Sequence, residues 1–378
     1  MLVWARRRSG QSIEEVAQTL GKEPAVIEEW EAGNSAPSYP QLENLAYRVY
    51  KRPIALFFFP EPPDEPDPEH SFRTLPAFEI EDLGPDTRFH IRDARALQLS
   101  LYDLNQGRNP ASQKIFRALR VGPSVSAPDI AERVRSYLGI DLESQKTEWR
   151  RPDDALKAWR NAVEEKGVFV FKESLRQRDI SGFCLYDEEF PIIYLNNSTA
   201  ATRQIFTLFH ELAHILVQTN GVTKLDDRYI GTLVGNAKRI EVFCNRFAAE
   251  LLVPWSDFRR RIRGRQANDE TIADLAGEYK VSREVILRRL LDQDLISQTD
   301  YEKRSARWRR EYEDRPRTEK GGNYYATKAS YLGESYLRLA FSRYYQGGIS
   351  IQQLADFLNV RVSSVPGLEQ IVLQKAAG

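Results

Sequence analysis

The sequence predicts an α+β protein: an all-α N-terminal segment, a small antiparallel sheet packed on two long helices, and a helical C-terminal region. Three short runs rich in β-branched and aromatic residues, Gly167–Phe171, Ile180–Tyr186 and Pro191–Leu195, are separated by polar turns. Two amphipathic stretches follow them, Ile205–Val217 and Ala237–Val253, the second stopped by Pro254. The rest of the chain carries helical periodicity and helix caps. With 378 residues, 42% hydrophobic and no long apolar run, it can bury two or three small cores and cannot span a membrane.

Residues 1–60 form the first unit. Ser12 and Glu15 make a capping box that opens Ile13–Leu20, Gly21 breaks that helix, and Ala25–Glu31 resumes before Gly33. Two short helices joined by a tight turn are a helix-turn-helix pattern. With Trp30-Glu31-Ala32-Gly33, Pro37 and Leu42–Ala46, the segment resembles the XRE (lambda-repressor-like) class. That resemblance implies a domain able to meet DNA or protein. Its second helix offers Pro24, Ala25, Glu28 and Glu29 where DNA readers present Arg, Lys, Gln, Asn or Ser, and phosphates repel the acids. Protein docking or dimerisation is therefore favoured over DNA, with Arg6, Arg7 and Arg8 still able to touch a backbone. Pro53–Phe59 is expected to tuck under this unit, and the Pro/acidic stretch Pro60–Glu69 marks a stiff linker within 61–84. Residues 85–154 read as a helical brace.

The three strands suggest an antiparallel meander, one edge of which could hold an extended peptide; a purely structural sheet is equally compatible. Next comes His210-Glu211-Leu212-Ala213-His214, which uses two of the four histidines in the chain. In a helix, residues four apart share a face, so both imidazoles can reach one metal ion, with Glu211 one step around it near the metal's water. The plain alternative is a pair of core histidines bonded to carbonyls, with Glu211 neutralised by an arginine.

A hydrolytic zinc needs a third protein ligand and an open fourth position. Val217 and Asn220 stand where a third histidine would extend the motif, so a carboxylate must come from farther along. Glu241 and Glu250 are nine positions apart and point to roughly opposite helix faces. Glu241 shares its face with Cys244, Asn245 and Ala248, which permits close approach to the His helix. Glu250 lines up with Arg239 and Arg246 as a solvated carboxylate. Glu241 is favoured; Asp226 and Asp227 in the polar connection stay as alternatives.

At FTLFHELAH and IEVFCNRFAAELLVP the chain resembles the ImmA/IrrE family of metallopeptidases. The resemblance implies a zincin-like peptidase core at 155–258, with His210, His214 and Glu241 as ligands of Zn2+ and Glu211 as general base. Mn2+, Co2+ or iron also suit such a donor set. Cys244 stands where family members often carry Ala and puts a thiol beside the metal; a structural thiol is favoured over a redox-sensitive one. The implied reaction is metal-assisted peptide hydrolysis. Tyr194, Tyr229 and Arg239 are all open as oxyanion donors.

Residues 259–300 form a basic module: Arg259–Arg265 leads into a helix, and a second helix carries Ser282, Arg283, Arg288 and Arg289. It resembles the helical module that follows the peptidase in this family, with docking or structure favoured over nucleic acid. The pattern Ser12-Ile13-x-x-Val16-Ala17 recurs at Thr271-Ile272-x-x-Leu275-Ala276 and at Ser350-Ile351-x-x-Leu354-Ala355, each a capped helix followed by a turn and another helical segment, so all three, 259–300 included, read as helix-turn-helix-like modules or equally as generic helix patterning. Residues 301–378 are helical and Tyr-rich, and GGISIQQLADFLNV resembles the closing element of longer family members.

Equal totals of Lys+Arg and Asp+Glu, 54 each, argue against a surface devoted to nucleic acid. Two cysteines and no signal-peptide pattern make a cytoplasmic location the default. The expectation is a zinc endopeptidase that cuts a regulatory protein, with a transcription repressor as the substrate implied by the family. DNA and a second copy stay open as partners, and no membrane is expected. The alternatives are a DNA-binding regulator whose metal domain senses rather than cuts, and a protease effector of a phage-defence or toxin system.

Overall fold

Local capping chemistry sets the first helices of this computed structural model, which describes residues 1–64, 83–122, 125–177, 179–225, 227–313 and 323–376. Most of the predicted linker, from residue 65, lies outside them. Two compact units emerge, one of Met1–Ala96 with Leu175–Asp179, the other of Leu97–Ser174 with Ile180–Gly378.

The first unit contains α1 (Leu2–Ser9), α2 (Ile13–Leu20), α3 (Pro24–Ala32) and α4 (Tyr39–Asn44), followed by a π turn at Leu45–Val49 and a 3-10 turn at Ile54–Phe58. The Ser12/Glu15 capping box is formed as predicted, and Gly21 ends α2 at φ 63°, a left-handed conformation that costs glycine nothing. Ala5, Val16, Ala17, Ile27, Trp30, Leu45, Val49 and Tyr50 make the core. The Arg6 guanidinium meets the Glu31 carboxylate at 2.7 and 2.9 Å, so α1 is tied to α3 and Arg6 is not available to a phosphate. Glu28 and Glu29 are exposed on α3. The Pro53–Phe59 segment is only partly tucked in. Phe57 stacks on Tyr50 with ring centroids 6.1 Å apart, while Phe58 and Phe59 are exposed.

Helix α5 (Pro85–Leu104) contributes residues to both units. The second unit adds α6 (Ile115–Ala118), α7 (Ala127–Leu138), α8 (Leu142–Thr147) and α9 (Pro152–Glu165) before the strands β1 (Phe169–Glu173), β2 (Ile180–Leu185) and β3 (Ile192–Asn196). Then come α10 (Ala201–Leu216), β4 (Gly221–Lys224) and α11 (Gly235–Leu252). The sheet order is β1-β3-β2-β4. β2 runs antiparallel to β3 and β4, but β1 lies parallel to β3, with Phe171 beside Tyr194. The sheet is therefore mixed, not the expected meander: β1 lies beyond β3 rather than beside β2. β4 escaped prediction because four residues with Gly, Thr and Lys give no clear alternation.

Helix α10 is buried continuously from Gln204 to Leu216. It packs on the sheet, on α9 through the Phe209–Trp159 edge contact (4.8 Å), and on α11. One hydrophobic core runs from Ile115 through these elements to Trp308. It also takes in α12 (Trp255–Ile262), α13 (Asp269–Tyr279), α14 (Arg283–Asp292) and α15 (Gln298–Glu313). Glu250, expected as a solvated carboxylate, is turned inward instead. It pairs with the buried Arg289 of α14 and accepts from the Trp255 amide at 2.8 Å, closing the α11–α12 turn.

The recurring helix pattern is only partly a repeat of caps. Ser350 opens the helix Ile351–Phe357 with a capping box to Gln353, as Ser12 opens α2. The cap of α13 is Asn268, and Thr271 is already its third residue. Arg160 secures the C-terminal region, α16 (Tyr324–Leu332), α17 (Glu334–Tyr345), α18 (Ile351–Phe357) and α19 (Val365–Ala376). Its guanidinium bonds Glu164 at 2.9 Å and the carbonyls of Val170, Ser330 and Tyr331. Among the described residues no helix is long and apolar enough to cross a membrane.

Candidate metal centre

Burial of α10 on almost every side leaves its polar residues to satisfy one another. His210 and His214, each 1% exposed, bring their Nε2 atoms to 3.2 Å. From α11, Glu241 places Oε2 at 3.3 Å from His210 Nε2 and Oε1 at 3.2 Å from His214 Nε2. Two imidazole nitrogens and a carboxylate thus converge on one point. Burial pushes the Glu241 carboxyl pKa up, but the surrounding His214 and His210 imidazoles pull it well below the usual carboxylate range.

Each outer ring nitrogen has its own partner. His210 Nδ1 lies 2.9 Å from Asn245 Oδ1, one turn beyond Glu241 on α11. His214 Nδ1 lies 3.2 Å from Thr219 Oγ1, in the turn that leaves α10. With an acceptor at Nδ1, His210 carries its proton there and turns the Nε2 lone pair inward, the arrangement a metal-binding histidine requires. These partners at Nδ1 are side chains, where the core-histidine alternative expected backbone carbonyls.

Strand β4 forms one wall. A Cβ built on Gly221 would stand 2.5 Å from His214 Cδ2 and 2.9 Å from Glu211 Oε2, so only glycine fits there. Thr223 donates its hydroxyl to Glu211 Oε1, leaving Glu211 Oε2 buried without a hydrogen-bond partner among the described residues. No arginine or lysine pairs with Glu211 or Glu241 among them either. Two buried carboxylates facing two imidazoles, with one oxygen orphaned, fit a divalent cation with nitrogen and oxygen ligands.

Two thiols flank this cluster. Cys184 on β2 and Cys244 on α11 are fully buried, and burial with the nearby carboxylates raises both thiol pKa values well above the usual range. Cys244 offers Sγ within 4.8 Å of a ring nitrogen of both His210 and His214.

The oxyanion candidates separate. Tyr229 donates to Glu241 Oε2 at 2.8 Å. Tyr194 is stacked on Phe183 inside the sheet, centroids 4.9 Å apart, and Arg239 is exposed on the first turns of α11. Of the alternative ligands, Asp226 and the Asp227 side chain lie outside the described residues. Sequence reading missed Thr219, Gly221 and Thr223. They sit in a short polar stretch after α10, where no periodicity marks a strand.

A helix carrying H-E-x-x-H, a second helix presenting a carboxylate to it and a small mixed sheet at its side define the zincin-like α+β class. Residues 163–291 match the family model of the IrrE N-terminal-like domain, a metallopeptidase family. No curated protein is similar to the chain. Among solved structures, a Mycobacterium tuberculosis transcriptional regulator is similar at 16% identity over 52% of this chain, with a TM-score of 0.29. The match covers 50% of the regulator's own length.

Proposed function

We propose that the chain is a zinc-dependent endopeptidase that cleaves a regulatory protein, with an XRE-type transcription repressor as the substrate class. The convergence of His210, His214 and Glu241 beside the half-partnered Glu211 carries this reading. In it those three residues hold the cation, and Glu211 is the general base. When bound, the cation supplies Lewis acidity toward a carbonyl and acidifies water.

The other steps belong to this chain's own side chains. Thr223 holds Glu211 through Oε1, which keeps Oε2 free to take a proton from water and pass it to the leaving amine. Asn245 and Thr219 hold the two imidazoles in register. Tyr229 is the oxyanion donor of choice, its hydroxyl turning from Glu241 Oε2 toward the carbonyl oxygen, since Tyr194 is locked in the sheet and Arg239 faces solvent. Among the described residues β4 pairs only with β2, which leaves an edge where an extended substrate can add as a strand next to Glu211.

The N-terminal unit serves substrate recognition, as a helix-turn-helix fold used for protein docking. Exposed Glu28 and Glu29 on α3 and the capture of Arg6 by Glu31 both count against phosphate contact. The test is a search for new protein N-termini in cells expressing the wild type or Glu211→Gln. A repressor fragment present only with the wild type is the expected result. Identical N-termini in both, with both proteins folded and metal-loaded, would overturn the peptidase reading and leave a metal-dependent sensor.

A further inference from the structure

The thiol of Cys244 has no part in the peptidase chemistry above, yet it stands among the donors. Its Sγ and one ring nitrogen each of His210 and His214 lie within 4.8 Å of one another. Cys244 follows Glu241 by three residues on α11, so both side chains project from one helix face toward α10. The next residue, Asn245, is anchored on His210 at 2.9 Å, which fixes this stretch of α11 against the His helix. The side chain is fully buried. Close by, Glu211, also fully buried, keeps Oε2 without a partner among the described residues. A thiol and a carboxylate oxygen buried beside two imidazoles are a donor set that a cation can satisfy.

We propose that Cys244 is a fourth protein ligand of the metal beside His210, His214 and Glu241, and that it closes the centre in the resting protein. This rests on the metal-centre reading given above. On loading, the S–H bond breaks, a sulfur–metal bond forms and the proton is released to solvent. Four protein donors complete a tetrahedral shell, whereas hydrolysis requires an open position for water. The thiol is the donor that must withdraw before substrate is cut. An alanine at this position would leave the centre permanently open, so the cysteine makes this chain a latent form of the enzyme.

X-ray absorption at the zinc edge of the full-length, reduced, zinc-loaded protein tests this. The expected spectrum has a sulfur shell at about 2.3 Å beside nitrogen and oxygen at about 2.0–2.1 Å. That shell should be lost in Cys244→Ala and kept in Cys184→Ala, the control for the neighbouring thiol. Wild-type zinc held only by nitrogen and oxygen overturns the proposal but leaves the metal centre standing, and needs no variant to fold. A sulfur shell that survives Cys244→Ala also overturns it. A protein that takes up no zinc overturns both the ligand assignment and the centre beneath it.

Discussion

Asn245 and Gly221 show how single residues hold this centre without touching a cation. The carbonyl oxygen of Asn245 is what holds the Nδ1 proton of His210, and its amide nitrogen has no partner among the described residues. Asn245→Ala removes the acceptor and frees the ring to rotate. Metal affinity is expected to fall about 10–100-fold, the usual effect of losing such an orienting partner, and titration against a chelating dye will measure it. Unchanged affinity would mean that packing alone orients the ring. Gly221 acts by the space it leaves. In Gly221→Ala the new methyl must displace the His214 ring and the Glu211 carboxylate, neither of which has room to retreat. Overpacking of this kind costs about 1–3 kcal/mol, and urea unfolding of the metal-free protein would register it. An unaltered midpoint would show that β4 shifts freely. The sequence put forward His210, Glu211, His214 and Glu241 from helical spacing, and the structure brings His210, His214 and Glu241 together. Thr219, Gly221 and Thr223 reach the site only through the turn after α10 and the pairing of β4 with β2, contacts that no local pattern encodes.

Between elements, polar pairs buried at the seams do what the apolar core cannot, which is to fix register. Asp257 on α12 receives Lys146 from α8 and the Tyr279 hydroxyl from α13, the latter at 2.6 Å. Burial raises the Asp257 carboxyl pKa, but Lys146, Tyr279 and Arg260 bring it down to about 2 from an ordinary 3.8. A carboxyl held more acidic in the folded state contributes its stability above pH 3.8 and loses it as pH falls toward 2. Wild-type stability should therefore drop more steeply between pH 4 and pH 2 than that of Asp257→Asn, as denaturant midpoints across that range will show. Parallel pH profiles for the two proteins would mean that the pair is solvent-screened. Such seams also explain what sequence reading got wrong. Glu250 lined up with arginines on its own helix and looked solvated, but its partner Arg289 arrives from α14, 39 residues away. The parallel placement of β1 is equally non-local, since it is set by the space beyond β3. Helices were legible where caps such as Ser12 and Ser350 act on their own next turn.

For the whole chain, the division into units predicts where metal and stability are coupled. The proposed donors come from two neighbouring helices of the second unit, α10 and α11, joined through the exit turn and β4. The first unit has its own core around Val16, Ile27 and Trp30, and none of the proposed donors lies in it. A cation that binds only the folded arrangement stabilises it by mass action, by about 4 kcal/mol at a thousandfold excess over its dissociation constant. Hydrogen exchange on the full chain with and without a chelator reads this segment by segment. Metal removal should speed exchange in α10, β4 and α11, and in α9, which packs on α10 through Trp159. Amides of α2 and α3 should keep their rates. Faster exchange in both units would show that the units unfold together and that the N-terminal fold depends on the metal. Protection unchanged in α10 and α11 would show that two helices and a sheet already hold Glu211 in place without the ion, as the continuous burial from Gln204 to Leu216 allows. In that case loading would switch on chemistry without altering the fold.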